Sequence, residues 1–305
     1  MNITLKNFLR KITEKLQKDE QKILMLLGQM RANEVKGKSS IDKLEDVEFK
    51  VFSQWGEDGI LQYLISKIDI PNKVFVEFGV ENYLESNTRF LLMNDNWSGV
   101  VIDGSKSNVN FIKTDDIYWR YDITAIEAFI TTDNINQLIG DNVGVEDIGI
   151  LSVDIDGNDY WVLNAINVVK PRILICEYNN IFGPEHAVTV PYNPSFVRRN
   201  AHYSDLYFGA SLKAFYDLAK EKGYTFVGTN SAGMNAFFVR NDLAASFKAC
   251  TPEEVYQPSK TRESRDKTGK LSFLSGTDRI KEIKDMHVYD VSAKKERQIK
   301  DIFGL

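Results

Sequence analysis

The sequence contains few residues that form covalent or metal cross-links. Its 305 residues include only two cysteines and three histidines, which is too few for a disulfide framework or a four-cysteine zinc site. Cys176 stands inside an apolar run, where a buried thiol is the expected structure. The fold therefore depends on a hydrophobic core, which the 43% of hydrophobic residues can supply.

Long apolar runs and an excess of positive charge are also lacking. Runs such as residues 23–27 and 74–78 are far shorter than the roughly 20 residues of a membrane-spanning helix. Charges interrupt the first twenty residues, unlike a secretory signal, so we expect a cytoplasmic protein without a membrane span. The net charge of −5 argues against nucleic acid as a partner, because phosphate binding needs clustered Lys and Arg.

Apolar residues near the N-terminus repeat at alternating steps of four and three, which predicts a long amphipathic helix. The repeat consists of Leu5, Leu9, Ile12, Leu16, Ile23, Leu26 and Met30. It fits either a coiled coil, and thus a homo-oligomer, or a helix packed on the main body. Residues 32–40 lose the repeat and contain Gly37, so we interpret them as a linker that ends this extension, residues 1–40.

β-branched runs alternate with amphipathic segments after residue 50, which predicts a doubly wound, mainly parallel sheet with helices on both faces. Predicted strands are residues 74–79, 99–103, 117–121, 148–154 and 172–178, and predicted helices are 57–68, 86–94, 123–139, 160–168 and 212–222. Residues 224–228 and 236–240 predict a final antiparallel hairpin, which makes seven strands. This domain would span residues 41–250, and the charged residues 251–305 would pack on it as an extension.

Acidic residues follow three of these strands, at the edge where ligands collect in an open parallel sheet. Glu77 closes the first strand, and Gly79 allows the backbone to pass close to a bound molecule. Asp103 ends the second, where a carboxylate can accept both hydroxyls of a ribose. Asp122 and Ile123 follow the third, where they can contact the amine and the ring of an adenine. Each acid could instead cap a helix, but three in succession favour one nucleoside site.

This series of motifs resembles that of the class I S-adenosylmethionine-dependent methyltransferases. It consists of Val76-Glu77-Phe78-Gly79, Ile102-Asp103, Asp122-Ile123 and Val153-Asp154. A preceding segment is similar to the FkbM-like group of small-molecule and sugar O-methyltransferases; it reads Phe52-Ser53-Gln54-Trp55-Gly56-Glu57-Asp58-Gly59. The resemblance covers residues 51–240 and implies a Rossmann-like methyltransferase fold with S-adenosylmethionine as cofactor.

The glycine-rich loop of that family is reduced here to Gly79. The resemblance therefore implies that side chains, Ser53, Gln54 and Glu81 among them, hold much of the cofactor. The full set of implied cofactor-binding residues is Ser53, Gln54, Glu77, Gly79, Glu81, Asp103, Gly104, Ser105, Asp122 and Ile123. Ser105 is equally well placed to cap the helix that follows it.

A second acidic group lies at the ends of the fourth and fifth predicted strands. Adjacent strand ends are about 5 Å apart, so Asp154 and Glu177 can converge on one point. Hard oxygen ligands suit Mg²⁺ or Mn²⁺. The arrangement resembles the metal site of divalent-cation-dependent O-methyltransferases, which implies Asp154, Glu177 and Asn179 as ligands, with Asp156 as a substitute. The alternative is a buried acid that binds loop amides.

Methyl transfer requires an acceptor atom held close to the methyl group and relieved of its proton. The candidate bases are Asp154, Asp156 and His186, the last of which lies in the loop after the fifth strand.

The long loop of residues 181–209 carries aromatic and basic residues that suit a sugar or a phosphate. The candidate substrate-binding residues are Tyr192, Arg198, Arg199 and His202. Together with the resemblance, they predict an O-methyltransferase that acts on a sugar hydroxyl, in a nucleotide-activated sugar or a surface-polysaccharide precursor.

Two other functions remain open at this point. Asp154-Ile155-Asp156 is also the Asp-x-Asp pattern by which nucleotide-sugar glycosyltransferases hold a metal and a diphosphate, but that function leaves the acids of the nucleoside site without a task. An interaction protein that recruits a partner through its N-terminal helix would need no cofactor. A nicotinamide dehydrogenase is disfavoured, because no Gly-x-Gly-x-x-Gly follows any predicted strand.

Overall fold

A seven-stranded sheet forms the centre of this computed structural model, which describes residues 3–305 and the side chains from Asp19 onward. The strands of the molecule are β1 (Val74–Phe78), β2 (Ser98–Asp103), β3 (Ile123–Glu127), β4 (Ile150–Val153), β5 (Ile173–Glu177), β6 (Val188–Thr189), β7 (Tyr224–Thr229), β8 (Asn235–Arg240), β9 (His287–Asp290) and β10 (Lys295–Gln298). The order across the large sheet is β3-β2-β1-β4-β5-β8-β7. Among these described strands, β8 runs in the direction opposite to the other six. The predicted doubly wound sheet with a closing hairpin, the Rossmann-like methyltransferase fold, is confirmed.

Helices cover both faces of this sheet. They are α1 (Ile3–Lys36), α2 (Glu57–Lys67), α3 (Arg89–Asn94), α4 (Lys106–Thr114), α5 (Asp116–Arg120), α6 (Ile135–Gly140), α7 (Asp159–Ala165), α8 (Arg198–Ala201), α9 (Leu212–Glu221), α10 (Pro252–Val255), α11 (Thr277–Glu282) and α12 (Ile299–Phe303), with 3-10 turns at Leu44–Val47, Asn180–Phe182 and Asn241–Ser246. In β5, Ile173 and Ile175 join one hydrophobic cluster, and Leu174 and Cys176 join the other. The central strands are continuous apolar runs because successive side chains are buried on opposite faces.

Helix α1 packs on the body through small residues near its C-terminal end. Gly28, Ala32 and Val35 are buried, and a Cβ atom at Gly28 would lie 2.5 Å from the Val51 side chain. The helix continues to Lys36, so the predicted linker of residues 32–40 is wrong over its first half. This happens because residues 32–35 bury their own small apolar face.

The part of the apolar repeat whose side chains the structure describes faces away from this contact. Ile23, Leu26 and Met30 are all exposed. The side chains of the remaining repeat residues, Leu5, Leu9, Ile12 and Leu16, lie outside the described residues. Pairing of α1 with a second copy of the chain therefore stays a prediction.

The third strand lies later in the chain than predicted. Residues 117–120 form part of α5 and Tyr121 is its C-cap, because the Asp115 side chain accepts a hydrogen bond from the backbone N–H of Ile117 and caps a helical turn. Buried Ile123 and Ala125 then alternate with exposed Thr124 in β3, where a helix over residues 123–139 was predicted. As a result, Asp122 precedes β3 instead of following it.

The C-terminal residues pack against the long connection between β5 and β7. β9 pairs with β10 and with β6 in a separate three-stranded sheet. A hydrophobic cluster beneath it joins Phe182 and Leu206 of the connection to Ile283 and Val288 of the tail. The tail therefore holds the connection in place. Across residues 3–305, no helix combines the length and the apolar character that crossing a bilayer requires.

Candidate functional site

A cavity of about 510 Å³ opens at the carboxyl ends of β1, β2, β4 and β5. The order of the strands reverses between β1 and β4, so the segments that follow them diverge and leave a crevice. Gly79 lies in this crevice with φ +67°, and a Cβ atom there would be 1.7 Å from the carbonyl oxygen of Asp154. Only glycine fits where β1 and β4 separate.

Glu77 forms the base of the cavity wall at the end of β1. One carboxylate oxygen accepts from the backbone N–H of Asn87, and the other accepts from the N–H and the hydroxyl of Thr88. Burial raises the pKa of Glu77 to about 7. The side chain thus fixes the turn before α3 and offers the cavity little free hydrogen-bonding capacity.

Asp103 at the end of β2 keeps one oxygen free. Its Oδ1 accepts from the backbone N–H of Ser105, 2.8 Å, and from the amide of Asn108, 3.1 Å, while Oδ2 accepts no hydrogen bond from the described residues. The Ser105 hydroxyl caps α4 by accepting from Asn108 N–H, and its predicted contact with the cofactor stays a prediction. Gly104 and the half-exposed ring of Phe129 lie beside the free oxygen.

The end of β3 contributes apolar side chains, not the predicted acid. Ala128, Phe129 and Ile130 line the cavity. Asp122 and Ile123 lie at the opposite end of β3, where the Asp122 carbonyl accepts from Gly99 at the start of β2. Their assignment to the adenine is therefore wrong, because the strand was predicted six residues too early in the chain.

The segment before α2 is organised by a buried carboxylate. Asp58 Oδ2 accepts from the three backbone N–H groups of residues 51–53, and burial raises the pKa of Asp58 to about 6. The Ser53 hydroxyl accepts from Asp58 N–H and is fully buried. Ser53 is thus part of the frame, and its predicted contact with the cofactor is wrong, whereas Gln54 and Glu81 line the cavity.

Glu57, next to Asp58, ties this segment to the closing hairpin. Its Oε1 accepts from the side-chain amides of Asn230 and Asn235, at 2.6 and 2.8 Å, and its Oε2 accepts from the N–H of Trp55. The wall that carries Gln54 and Trp55 is therefore fixed to β8 across the cavity.

Two carboxyl groups meet at the ends of β4 and β5. Val153 pairs with Cys176 in the parallel register, so the next residues, Asp154 and Glu177, lie side by side. Burial and then the charge of Glu177 raise the pKa of Asp154 well above its usual value. Burial and then the charge of Asp156 raise the pKa of Glu177 to about 8. Asp154 therefore keeps its proton to a higher pH than Glu177 and donates a hydrogen bond to it.

Asp156 completes this acidic cluster, in which oxygens of Asp154, Asp156 and Glu177 lie within 4.8 Å of one another. Asp156 has a left-handed backbone, φ +58°, which costs free energy in a residue other than glycine. Asp159 compensates, because its two oxygens accept from the N–H groups of Ile155 and Gly157 on either side. Residues 154–159 therefore form one loop, and Asp159 holds its backbone in position.

Asn179 does not belong to the acidic cluster. Its side chain is 1% exposed; Oδ1 accepts from Ile181 N–H, and Nδ2 donates to the carbonyls of Leu206 and Phe208. The amide joins the two ends of the long connection at the wall of the cavity, and the prediction of Asn179 as a metal ligand stays a prediction. Asp156, the predicted substitute, occupies that place.

The two histidines predicted near the site lie outside the cavity. The ring of His186 packs edge-on against Phe303 of α12, with centroids 4.8 Å apart. His202 Nδ1 is 2.7 Å from the Ser204 hydroxyl. Neither histidine lines the cavity, so the structure does not bring them to the acidic cluster, and their roles in catalysis and substrate binding stay predictions.

Of the remaining loop residues, Arg198 alone among the predicted set lines the described cavity. Its Nη1 donates to Asp156, and its guanidinium stacks 3.6 Å from the centroid of the Phe208 ring. The Tyr192 hydroxyl accepts from Thr132 outside the cavity, and Arg199 is exposed on α8. The structure therefore does not bring Tyr192 and Arg199 to the cavity, and substrate contacts by these residues stay predictions.

Several lining residues were missed by the sequence analysis, namely Phe129, Asn158, Phe196 and Arg279. Phe129 follows a period-two pattern in residues 123–127 that indicates a strand, so a signal existed. Arg279 lies in the tail, where no pattern connects it with the sheet.

Comparisons with known proteins agree with the architecture. No family model matches the chain, and no curated protein matches it. Among solved structures, it is similar to an O-methyltransferase from Bacillus cereus in complex with S-adenosylhomocysteine, with 14% identity, a TM-score of 0.34, and coverage of 79% of this chain and 92% of that chain. It is also similar to TrmK of M. capricolum with S-adenosylhomocysteine, with 10% identity, a TM-score of 0.37, and coverage of 59% and 67%. A third is an S-adenosylmethionine-dependent methyltransferase from Clostridium acetobutylicum, with 9% identity, a TM-score of 0.34, and coverage of 56% and 85%. The fold assignment rests on the strand order of this chain, and these likenesses carry no inference about its activity.

We predict that Gly79→Ala destabilises the protein by about 2 kcal/mol or more, because the new methyl group meets the Asp154 carbonyl and φ is positive. Chemical denaturation measures the change. Gly104→Ala is the matched control at the end of β2, where the nearest atom is 3.6 Å away, and it should change stability by less than about 0.5 kcal/mol. Equal losses in the two variants would contradict the close approach of β1 and β4.

We predict that the acidic cluster makes the metal-free protein less stable as pH rises from about 5 to 8. The pKa of Glu177 is raised in the fold, so the stabilisation is complete below its unfolded value and is lost as the buried group ionises near 8. Glu177→Gln should lessen this decline in thermal midpoint, and the remainder should come from Asp58 and Glu77, whose pKa values burial also raises. Mn²⁺ should stabilise the wild type more at pH 8 than at pH 6, because it displaces the protons.

The control for this experiment is Glu81→Gln, which removes a carboxylate from the rim of the same cavity. It should leave both the decline and the response to Mn²⁺ unchanged. A decline as steep in Glu177→Gln as in the wild type would show that the cluster does not control it.

Proposed function

We propose that this protein is an S-adenosylmethionine-dependent O-methyltransferase. The observation that carries the proposal is the free Oδ2 of Asp103 at the end of β2, beside the exposed face of Phe129. A carboxylate there can accept both hydroxyls of a ribose, and the aromatic ring gives the adenine a surface on which to stack. Gly79 and Gln54 supply the neighbouring walls.

The acidic cluster would then handle the acceptor. Glu177, which accepts a hydrogen bond from Asp154, would take the proton of an acceptor hydroxyl. Three carboxylates within 4.8 Å also fit Mg²⁺ or Mn²⁺, and Asp154, Asp156 and Glu177 would hold the ion. When bound, such an ion supplies a lower pKa for the acceptor hydroxyl.

We propose a sugar hydroxyl as the acceptor, in a nucleotide-activated sugar or a polysaccharide precursor. Phe196 and Phe208 present aromatic surfaces to the cavity near Arg198, and such surfaces pack well against the apolar faces of sugars. A metal-dependent glycosyltransferase is the alternative, because its nucleotide-sugar donor also carries a ribose for Asp103 and a base for Phe129; the two functions differ in whether S-adenosylhomocysteine binds.

We predict that S-adenosylhomocysteine binds the wild type and that Asp103→Ala weakens its affinity at least tenfold, about 1.4 kcal/mol, because the ribose loses a charged acceptor. Isothermal titration calorimetry measures the affinity, and circular dichroism confirms the fold. Asp122→Ala removes an exposed carboxylate at the other end of the sheet and should have no effect. Stabilisation by nucleotide sugars and not by S-adenosylhomocysteine would favour the glycosyltransferase.

We predict that the protein transfers label from methyl-labelled S-adenosylmethionine to at least one member of a panel of nucleotide sugars. Glu177→Gln should reduce transfer by about a hundredfold or more, because it removes the base. Assays with and without EDTA test the ion. Transfer that survives chelation removes the ion from the proposal, and no transfer across the panel removes the nucleotide sugars.

A further inference from the structure

The cavity contains a second arginine besides Arg198, and this one has no acidic partner among the described residues. Arg279 on α11 lines the cavity and is 7% exposed. Its Nη1 donates to the carbonyl of Thr261, 3.2 Å, and its Nε is buried without an acceptor. Within residues 19–305, no carboxylate lies within ion-pairing distance of this guanidinium.

Arg198, the other arginine that lines the cavity, differs from Arg279 in having an acidic partner. Arg198 pairs with Asp156 and donates from Nε to the carbonyl of Asp205. Glu263 is the acid of the tail that lines the cavity near Arg279, but it is exposed and pairs with Arg265 at 3.6 Å. Arg279 is therefore left with one neutral acceptor for a full positive charge.

A buried charge without a partner costs free energy, and an arginine cannot discharge itself by losing its proton near neutral pH. Burial and the charge of Arg198 lower the pKa of Arg279, which shows that both effects oppose its positive charge. The fold nevertheless packs α11 so that this side chain reaches the cavity. An oxyanion entering there would replace the missing counter-ion.

The neighbours of Arg279 place it on the acceptor side of the cavity. The tail segment with Tyr256 and Thr261 runs beside the ends of β5 and β8: the Tyr256 hydroxyl donates to the Asn180 carbonyl, and Gly233 lies against Gln257. The free oxygen of Asp103, by contrast, lies at the end of β2, at the other side of the sheet order.

We propose that Arg279 binds an oxyanionic group, a carboxylate or a phosphate, of the molecule that receives the methyl group. The inference rests on the proposed function, and it narrows the acceptor to an acidic sugar, that is, a sugar acid or a sugar phosphate. Arg279 is thus a substrate-binding residue supplied by the C-terminal tail.

The test compares three full-length proteins, each treated with EDTA and desalted: the wild type, Arg279→Gln and Lys281→Gln. Lys281 lies on the same helix, is 55% exposed in its side chain and pairs with Asp278, so its variant has the same net charge with the cavity intact. Thermal midpoints are measured in sodium phosphate, sodium acetate and sodium chloride of equal ionic strength. Affinity for S-adenosylhomocysteine is measured on the same samples.

We expect phosphate or acetate to raise the midpoint of the wild type and of Lys281→Gln by about 2–4 °C over chloride, and to leave Arg279→Gln at its chloride value. A response to phosphate alone identifies a phosphorylated acceptor, and a response to acetate identifies a carboxylate. Affinity for S-adenosylhomocysteine should stay within about twofold of the wild type in both variants, since Arg279 lies away from the proposed cofactor site.

Three results would overturn the inference. One is an equal anion response in all three proteins, and another is no response in the wild type. The third is a tenfold loss of S-adenosylhomocysteine affinity in Arg279→Gln, which would assign the guanidinium to the carboxylate of the cofactor. The anion response with no binding of S-adenosylhomocysteine would keep Arg279 as an anion site and remove the proposed methyltransferase.

Discussion

The parallel register between β4 and β5 is the constraint on which the site depends. Because Val153 lies opposite Cys176, the two strands end together and bring Asp154 and Glu177 into contact in a place with little water. Two adjacent carboxyls cannot both ionise there without a large electrostatic cost. They share a proton, recruit Arg198 through Asp156, or bind a cation, and each of these outcomes makes the strand ends chemically reactive.

Hydrogen bonds elsewhere around the cavity hold the Asp154–Glu177 pair in position. Asp159 fixes the loop after β4 by two backbone hydrogen bonds, and Asn179 fixes the connection after β5 by three. Asp58 does the same before α2. Buried side chains that hydrogen-bond to backbone N–H and carbonyl groups thus replace regular structure in the loops, as a rigid site formed by loops requires.

The sheet could be predicted from the sequence because its central strands are buried on both faces and appear as uninterrupted apolar runs. The ends of the predicted strands identify four acidic residues that all line the cavity: Glu77, Asp103, Asp154 and Glu177. The edge strand β3 was mispredicted because only one of its faces is buried, and the helical cap at Asp115 precedes it. Because β3 was predicted too early in the chain, Asp122 was assigned to the wrong end of the strand and Phe129 was overlooked as a lining residue.

Side-chain roles in the long connection could not be predicted, since they depend on contacts with residues far away in the chain. His186 meets α12, and Tyr207 donates to the carbonyl of His287 in β9. Residues that look free for a ligand in the sequence are used for packing. The reverse holds for Arg279, which looks like one of many charges in a solvated tail but is buried at the cavity. A chain segment without periodicity carries no information about which of its charges will lose water. Only the packed tail, anchored by Ile283 and Val288 against the connection, brings this arginine into the wall of the cavity, so the same cavity is lined by an acidic cluster and by a buried positive charge.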